Sequence, residues 1–163
     1  VKALVLHQPW ASLMAAGLKR NETRSRPWRY DGDFAVCASA TRWRTSVPDG
    51  AAKALLTLWE HRQLFDGWES AKDVRELYGL LPFGAVVCVV RKVGCFPTES
   101  VALAHLRNGS RELNLGDYSP GRWYYPTTDL RKLARPVGVR GRQFVFDLDP
   151  GTAGAVRRQL VNP

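Results

Sequence analysis

The sequence predicts an α+β domain, a small β-barrel with helices packed around it. Short strand-like runs outnumber helical ones along the chain, which favours a closed or curled sheet over a helical bundle. One run, Ala85 to Val90, reads Ala-Val-Val-Cys-Val-Val; it is β-branched and nearly all apolar, as a central strand should be. The 163 residues are 45% apolar and 24% charged, which suits one globular domain with a proper core. The expected domain covers residues 1–150, and residues 151–163 form a C-terminal tail or short helix.

Lys2 to Leu6 reads as the first strand. Pro9 is suited to the first turn of a helix, Ala11 to Ala16 supply good helix formers, and Gly17 is placed as its C′ stop. Glu22 to Ser25 and Asp33 to Ala38 read as strands across the turn-rich Tyr30-Asp31-Gly32. A second helix is expected from Ser46, with Pro48 and Asp49 completing a capping pattern. Its apolar set is Ala51, Ala52, Leu55, Leu56 and Trp59. Ser70 with Asp73 begins a short helix ending near Tyr78. After the turn Leu80 to Gly84 comes the central strand. Glu99 to Leu106 is expected as a helix capped by Thr98. Asn114 to Gly121 is a loop rich in Gly, Asp, Ser and Pro. Arg122 to Tyr125 and Gln143 to Leu148 read as the last strands. No internal repeat or low-complexity segment divides the chain.

The net charge is +9. Residues 1–50 carry eight basic and four acidic side chains, residues 51–100 six of each, and residues 101–163 ten and five, so the excess sits in the terminal thirds. Arg outnumbers Lys eighteen to six. Guanidinium forks match phosphates and stack on bases, which points to a nucleic-acid partner; a coding bias toward Arg gives the same composition. Cys37, Cys88 and Cys95 are odd in number and far apart, and His7, His61 and His105 are equally scattered. Neither set forms a zinc pattern, and neither a metal nor a cofactor is expected. No apolar run approaches the ~18 residues of a membrane span, and Val1 to Leu6 is too short for a signal peptide. A monomer in a reducing cytoplasm is expected, and Val1 is read as following an absent initiator.

Residues 17–24, Gly-Leu-Lys-Arg-Asn-Glu-Thr-Arg, carry the most information. On a strand, Glu22 and Arg24 share a face because side chains alternate. Lys19 reaches that face from the turn. Two cations around one carboxylate can grip a polar, anionic ligand, or can hold the carboxylate charged. The competing reading is a solvated turn with a surface ion pair.

Three blocks in order, Ala3 to Leu13 (Ala-Leu-Val-Leu-His-Gln-Pro-Trp-Ala-Ser-Leu), Gly17 to Arg24, and Gly116 to Arg122 (Gly-Asp-Tyr-Ser-Pro-Gly-Arg), resemble the ASCH domain. This is the activating-signal-cointegrator homology family of the PUA-like superfamily. Its hallmark G-x-K-x-x-E-x-R falls on Gly17, Lys19, Glu22 and Arg24 without a gap. The resemblance runs from Lys2 to about Asp149. It implies a PUA-like barrel of five or six strands with flanking helices, and a cleft lined by the hallmark residues. It also implies nucleic-acid binding as the expected role. Some members of the family are enzymes, namely amidohydrolases of N4-acetylcytidine and a ribonuclease.

In the amidohydrolases a Lys and a Thr three residues later work with a Glu from a later segment. Here Glu22 stands at the Thr position, Thr23 is expected to face the other way, and Ala85 to Val90 offers no carboxylate. An oriented acyl-transfer nucleophile is therefore not evident. If the protein is an enzyme, it is a metal-independent hydrolase of a modified nucleoside or RNA, with Glu22 activating a water and Lys19 stabilising an oxyanion.

Binding is the leading expectation, with RNA, single-stranded DNA or a nucleotide held by a basic cleft that recognises one plain or modified base. Trp10, Trp28, Tyr30, Trp43, Tyr118, Trp123, Tyr124 and Tyr125 adjoin basic residues and offer rings for stacking; core packing is the alternative for each, and is accepted for Trp59. Trp10 reads equally as a pocket wall. Gln8 either reads a base edge through its amide or caps the following helix. Ser119, Gly121 and Arg122 either offer N–H groups and a guanidinium to a phosphate or form a tight turn. A third class, a protein-interaction module, remains open.

Overall fold

The computed structural model describes residues 1–43, 49–100 and 111–161. The elements in chain order are β1 (Lys2–Leu6), α1 (Trp10–Ala15), β2 (Asn21–Arg24), β3 (Gly32–Ala38), α2 (Asp49–Glu60), α3 (Val74–Leu80), β4 (Ala85–Lys92), β5 (Phe96–Pro97), β6 (Trp123–Gly138), β7 (Val145–Asp147) and α4 (Pro150–Val161). Short 3-10 turns lie at Arg62–Leu64 and Arg111–Asn114. The strands pair in the order β2-β6-β4-β3-β1-β7, and β5 also pairs with β6. β1 and β3 are parallel and the other pairs antiparallel. This mixed sheet curls into a half-barrel with flanking helices, the PUA-like α+β architecture. Seven strands are present among the described residues where five or six were expected, because the two-residue β5 adds to the rim.

β6 is the spine. Its first residues, Trp123 to Pro126, pair with β2, and its remainder pairs with β4. The sequence suggested a strand only to Tyr125, because Pro126, Asp129 and Pro136 interrupt the pattern. The structure keeps the strand going through two register shifts against β4, between Val86 and Cys88 and between Val89 and Arg91. Asp129 takes a left-handed φ of 50° at the second. Such bulges bend a strand and tolerate residues that a regular ladder rejects.

The alternation of β1 and β3 splits the core. Leu4, Leu6, Phe34 and Val36 point to the barrel interior, where Ala11 and Met14 of α1 cover them. Ala3, Ala35 and Cys37 point to the other face, with Val86 and Val89, under Ala153 and Val156 of α4. The tail is thus a docked helix. Burial pushes the Cys37 thiol up to about 12 and also raises Cys88, whose neighbour Cys37 adds to the effect; both are unreactive core residues.

α2 and α3 build a third cluster around Leu13, Leu58, Leu77 and Leu115. The buried stripe of α2 is Ala51, Ala54, Leu55 and Leu58, while Leu56 is exposed and Ala52 faces solvent. The expected stripe was therefore partly out of phase, although Trp59 does pack at its margin. Asp73 alone caps α3, accepting from the Glu76 N–H at 2.7 Å. Ser70 instead donates to the Gly67 carbonyl. Ser46 and Pro48 lie outside the described residues, as does the helix expected over Glu99 to Leu106 beyond residues 98–100, which are helical.

Candidate functional site

α1 stops at Gly17, which adopts a φ of +71°. Its N–H donates to the Met14 carbonyl, and the Leu18 N–H reaches back to the Leu13 carbonyl. A residue with a side chain resists that left-handed conformation, so glycine sets where the chain turns toward β2. In β2, Glu22 and Arg24 do share a face. The Arg24 Nε lies 2.9 Å from Glu22 Oε1 but out of line for a hydrogen bond. Arg24 Nη2 donates to the Val5 carbonyl at 2.7 Å, tying β2 across to β1.

Lys19 was expected to reach the face of Glu22 and Arg24 and to help grip a ligand there. It is only 2% exposed. Its Nζ donates to the Asn21 carbonyl and, at 3.0 Å, to the Leu115 carbonyl. Glu22 Oε2 is 3.8 Å away. Burial lowers the Lys19 pKa; Glu22 and Glu112 act against that shift, and Arg24 adds to it. The ammonium is therefore a buried clamp between β2 and the segment around Leu115, because the turn after Gly17 carries its stem inward.

These groups line a cleft of about 390 Å³. Trp10, Lys19, Glu22, Arg24 and Arg122, all expected in the site, line it together. Gln8, Ser119 and Gly121 are not among its lining residues. Gln8 caps α1: its Oε1 accepts from the Ser12 N–H, and its Nε2 donates to the Pro82 carbonyl at 2.6 Å. Among the named aromatics only Trp10 lines the cleft. Trp28 packs against Phe34 and Tyr125, and Trp43 stacks on Tyr78.

Thr23 also lines the cleft, contrary to the strand alternation. The loop around Gly116 crosses β2 there, and the Asp117 N–H donates to Thr23 Oγ1 at 3.1 Å. A Cβ on Gly116 would lie 3.2 Å from Thr23 Cγ2 and 2.9 Å from the Tyr118 ring, so a larger residue would force those side chains to shift.

The loop that follows is closed on itself. Asp117 Oδ1 accepts from the Ser119 hydroxyl at 2.6 Å and from its N–H at 3.1 Å. The Gly121 N–H donates to Glu99 Oε1 at 2.7 Å. Thr98, expected as a helix cap, donates its hydroxyl to the Ser119 carbonyl. Both loop N–H groups are thus engaged internally, which supports the turn reading of Ser119 and Gly121. Of Ser119, Gly121 and Arg122, Arg122 alone turns to the cleft, 3.2 Å from Asp117 Oδ2.

The Ser119 hydroxyl, the Ser119 N–H and Arg122 together hold the Asp117 carboxyl below its ordinary 3.8, against the opposing effect of desolvation. A depressed carboxyl contributes stability in full above its unfolded value and loses it as pH falls through the folded one. The loop contacts are expected to persist at pH 5 and to release below pH 3.8. Following the Ser119 amide by NMR over that range checks this, with Asp117→Asn as the pH-insensitive control.

Besides Thr23, three residues in or behind the cleft were not anticipated. His7 lines the rim and is exposed; its place between β1 and α1 was the available signal. Asp117 lies within the third family-like block. Glu112 is buried behind the site, accepting the N–H groups of Arg20 and Asn21, and an isolated acid in a turn gives no sequence signal. Among the described residues, no group of three or more His, Cys, Asp or Glu gathers as a metal site, and no helix is long and apolar enough to cross a membrane.

No protein-family model and no curated protein matches the chain. In structure it is similar to the ASCH protein of Zymomonas mobilis. The alignment has a TM-score of 0.54 at 13% identity, covering 96% of this chain and 93% of that one. A Tyr-to-Phe variant of that protein aligns with a TM-score of 0.53 at 13% identity, covering 96% of both chains. A Ser-to-Ala variant gives 0.53 and 13%, covering 96% of this chain and 94% of that one. The likeness is one of fold, and the fold is that of an ASCH domain.

Proposed function

We propose that the cleft binds one base of a single-stranded nucleic acid, or a free nucleotide. The observation that carries this reading is the Glu22 carboxylate fixed between Arg24 and Lys19 beside Trp10, in a cleft of about 390 Å³. That volume suits a nucleoside-sized ligand. A charged carboxylate offers only lone pairs, so it selects a base edge that presents N–H donors. Trp10 supplies a ring face for stacking. Arg24 and Arg122 line the cleft and supply guanidinium groups for a phosphate. The three free cysteines fit a protein working in the reducing cytosol, and we take the monomer as the working unit.

Hydrolysis is the second reading, favoured by one observation: the Lys19 amine has a lowered pKa beside a carboxylate. A nucleophilic amine needs a free lone pair and access, whereas this Nζ is sealed against two carbonyls. A hydrolytic site would instead rely on Glu22 to activate water.

Fluorescence anisotropy with labelled single-stranded RNA and DNA, titrated with salt, tests the binding reading. The expected log–log slope is roughly −0.7 per phosphate neutralised. Glu22→Gln is expected to weaken binding modestly. Binding that is absent at low salt, or indifferent to salt, refutes a nucleic-acid ligand. Robust turnover of N4-acylcytidine or RNA by the parent, falling ~10²–10⁴-fold in Glu22→Gln, places the hydrolase first.

A further inference from the structure

We propose that Phe144 is a stacking platform for the nucleotide next to the one in the cleft, so that the ligand is a strand of nucleic acid rather than a free nucleotide. The inference rests on the reading of the cleft as a base site.

Phe144 is placed where neither backbone nor burial favours it. Its φ is +60°, a conformation that costs a bulky side chain strain. Its side chain recovers little by packing, since the residue is 67% exposed. Glycine or asparagine would hold this turn at lower cost. An aromatic ring kept in solvent at a strained position is a candidate for contact with a ligand.

The surroundings indicate which ligand. The Arg26 guanidinium lies 5.7 Å from the ring centroid, within cation–π range. Arg140 and Arg142, in the same loop, are exposed. A ring face beside the Arg26 guanidinium, on a loop that carries two further exposed arginines, is the combination that single-stranded nucleic acids recognise, with base on ring and phosphate on cation.

The platform adjoins the cleft through a short chain of contacts. β7 is an edge strand, and Val145 pairs with Leu4, which sets residue 144 alongside Val5. A Cβ on Gly141 would meet the Val5 side chain at 3.1 Å, so the loop lies against that residue. Val5 lines the cleft and its carbonyl holds Arg24. Arg26 follows Arg24 by two residues and leaves the cleft toward Phe144. A strand with one base in the cleft therefore passes Arg24 and Arg26 and reaches the ring with its neighbouring base.

The test compares the parent, Phe144→Ala, Phe144→Trp and Arg24→Ala, using labelled decamers of single-stranded RNA and competition by nucleoside monophosphates. Phe144→Ala is expected to weaken decamer binding roughly 5- to 100-fold. It should leave monophosphate competition and melting temperature unchanged, and Trp should restore decamer binding. If Phe144→Ala binds the decamer like the parent while Arg24→Ala does not, the platform is refuted and the cleft reading survives. If Phe144→Ala weakens monophosphate and decamer alike, the ring belongs to the cleft and the proposal of a neighbouring subsite falls. If the parent binds neither probe, both readings fail, and the exposed ring is left as a surface for another class of partner.

Discussion

Lys19→Ala is expected to destabilise the protein by about 3–5 kcal/mol, the cost of removing one partner from a buried charge cluster. In a domain of this size that corresponds to a fall in melting temperature of roughly 10 °C. The side chain spans from the α1 turn to two carbonyls, Asn21 in β2 and Leu115 ninety-six residues from Lys19 in sequence. Truncation leaves both acceptors buried without their donor, opens a cavity, and removes one of the two cations beside Glu22. Lys19→Met refills most of the volume and should recover part of the loss, but not the hydrogen bonds. The parent also carries a pH signature that Met lacks. Because burial lowers the folded pKa below the ordinary 10.5, the unfolded state binds more protons in the window between the two values. Stability therefore rises with pH across that window and is insensitive to this group below it. Urea unfolding of parent, Ala and Met variants at neutral and alkaline pH reads both effects. A Lys19→Ala protein within 0.5 kcal/mol of the parent, taking ~0.5 as the scale of an ordinary surface change, would mean that Lys19 is not the clamp described.

Sequence patterns that report local physics were legible. β1, β3 and β4 are apolar or alternating runs, and each forms at or near its expected limits. Gly17 has the left-handed conformation its position implied. Glu22 and Arg24 share a face because a two-residue period leaves no other arrangement. What stayed hidden depends on contacts distant in sequence. β6 runs on past Pro126 only because bulges against β4 absorb the irregular residues. Thr23 faces the cleft because a loop from residue 116 crosses it. The occupancy of the Ser119 and Gly121 N–H groups follows from Asp117 and Glu99, and the burial of Lys19 follows from Leu115. A motif told which residues meet, and the partners across the fold decide which of them remain free to meet a ligand.

Of the cleft cations, Arg24 is expected to matter most for affinity. Arg24→Ala should weaken single-stranded RNA binding roughly 10- to 100-fold, or about 1.4–2.8 kcal/mol. Its side chain is 37% exposed and lines the cleft, so a ligand can reach it, whereas the Lys19 Nζ is sealed against two carbonyls. Removing it deletes a fork for phosphate and leaves Glu22 with only Lys19, 3.8 Å away, to offset its charge. The freed carboxylate then repels the phosphate that Arg24 attracted. Arg24→Lys keeps the charge but not the fork that holds the Val5 carbonyl and Glu22 together, so it should restore only part of the affinity. Stability should fall modestly in both variants, by about 1–3 kcal/mol for a charged hydrogen bond to a carbonyl. The contrast is the Arg157→Ala/Arg158→Ala pair. Both residues are exposed on α4, which covers the sheet face under Ala153 and Val156, and they contribute only diffuse, salt-screened attraction. Anisotropy titrations at two salt concentrations, with melting curves on the same samples, separate the cases. Should the tail pair cost more affinity than Arg24→Ala, the nucleic-acid surface lies on the α4 side and the cleft is not the binding site. Should Arg24→Ala fail to fold, the β1–β2 tie is the main role of this arginine, and the fork reading of the hallmark is wrong.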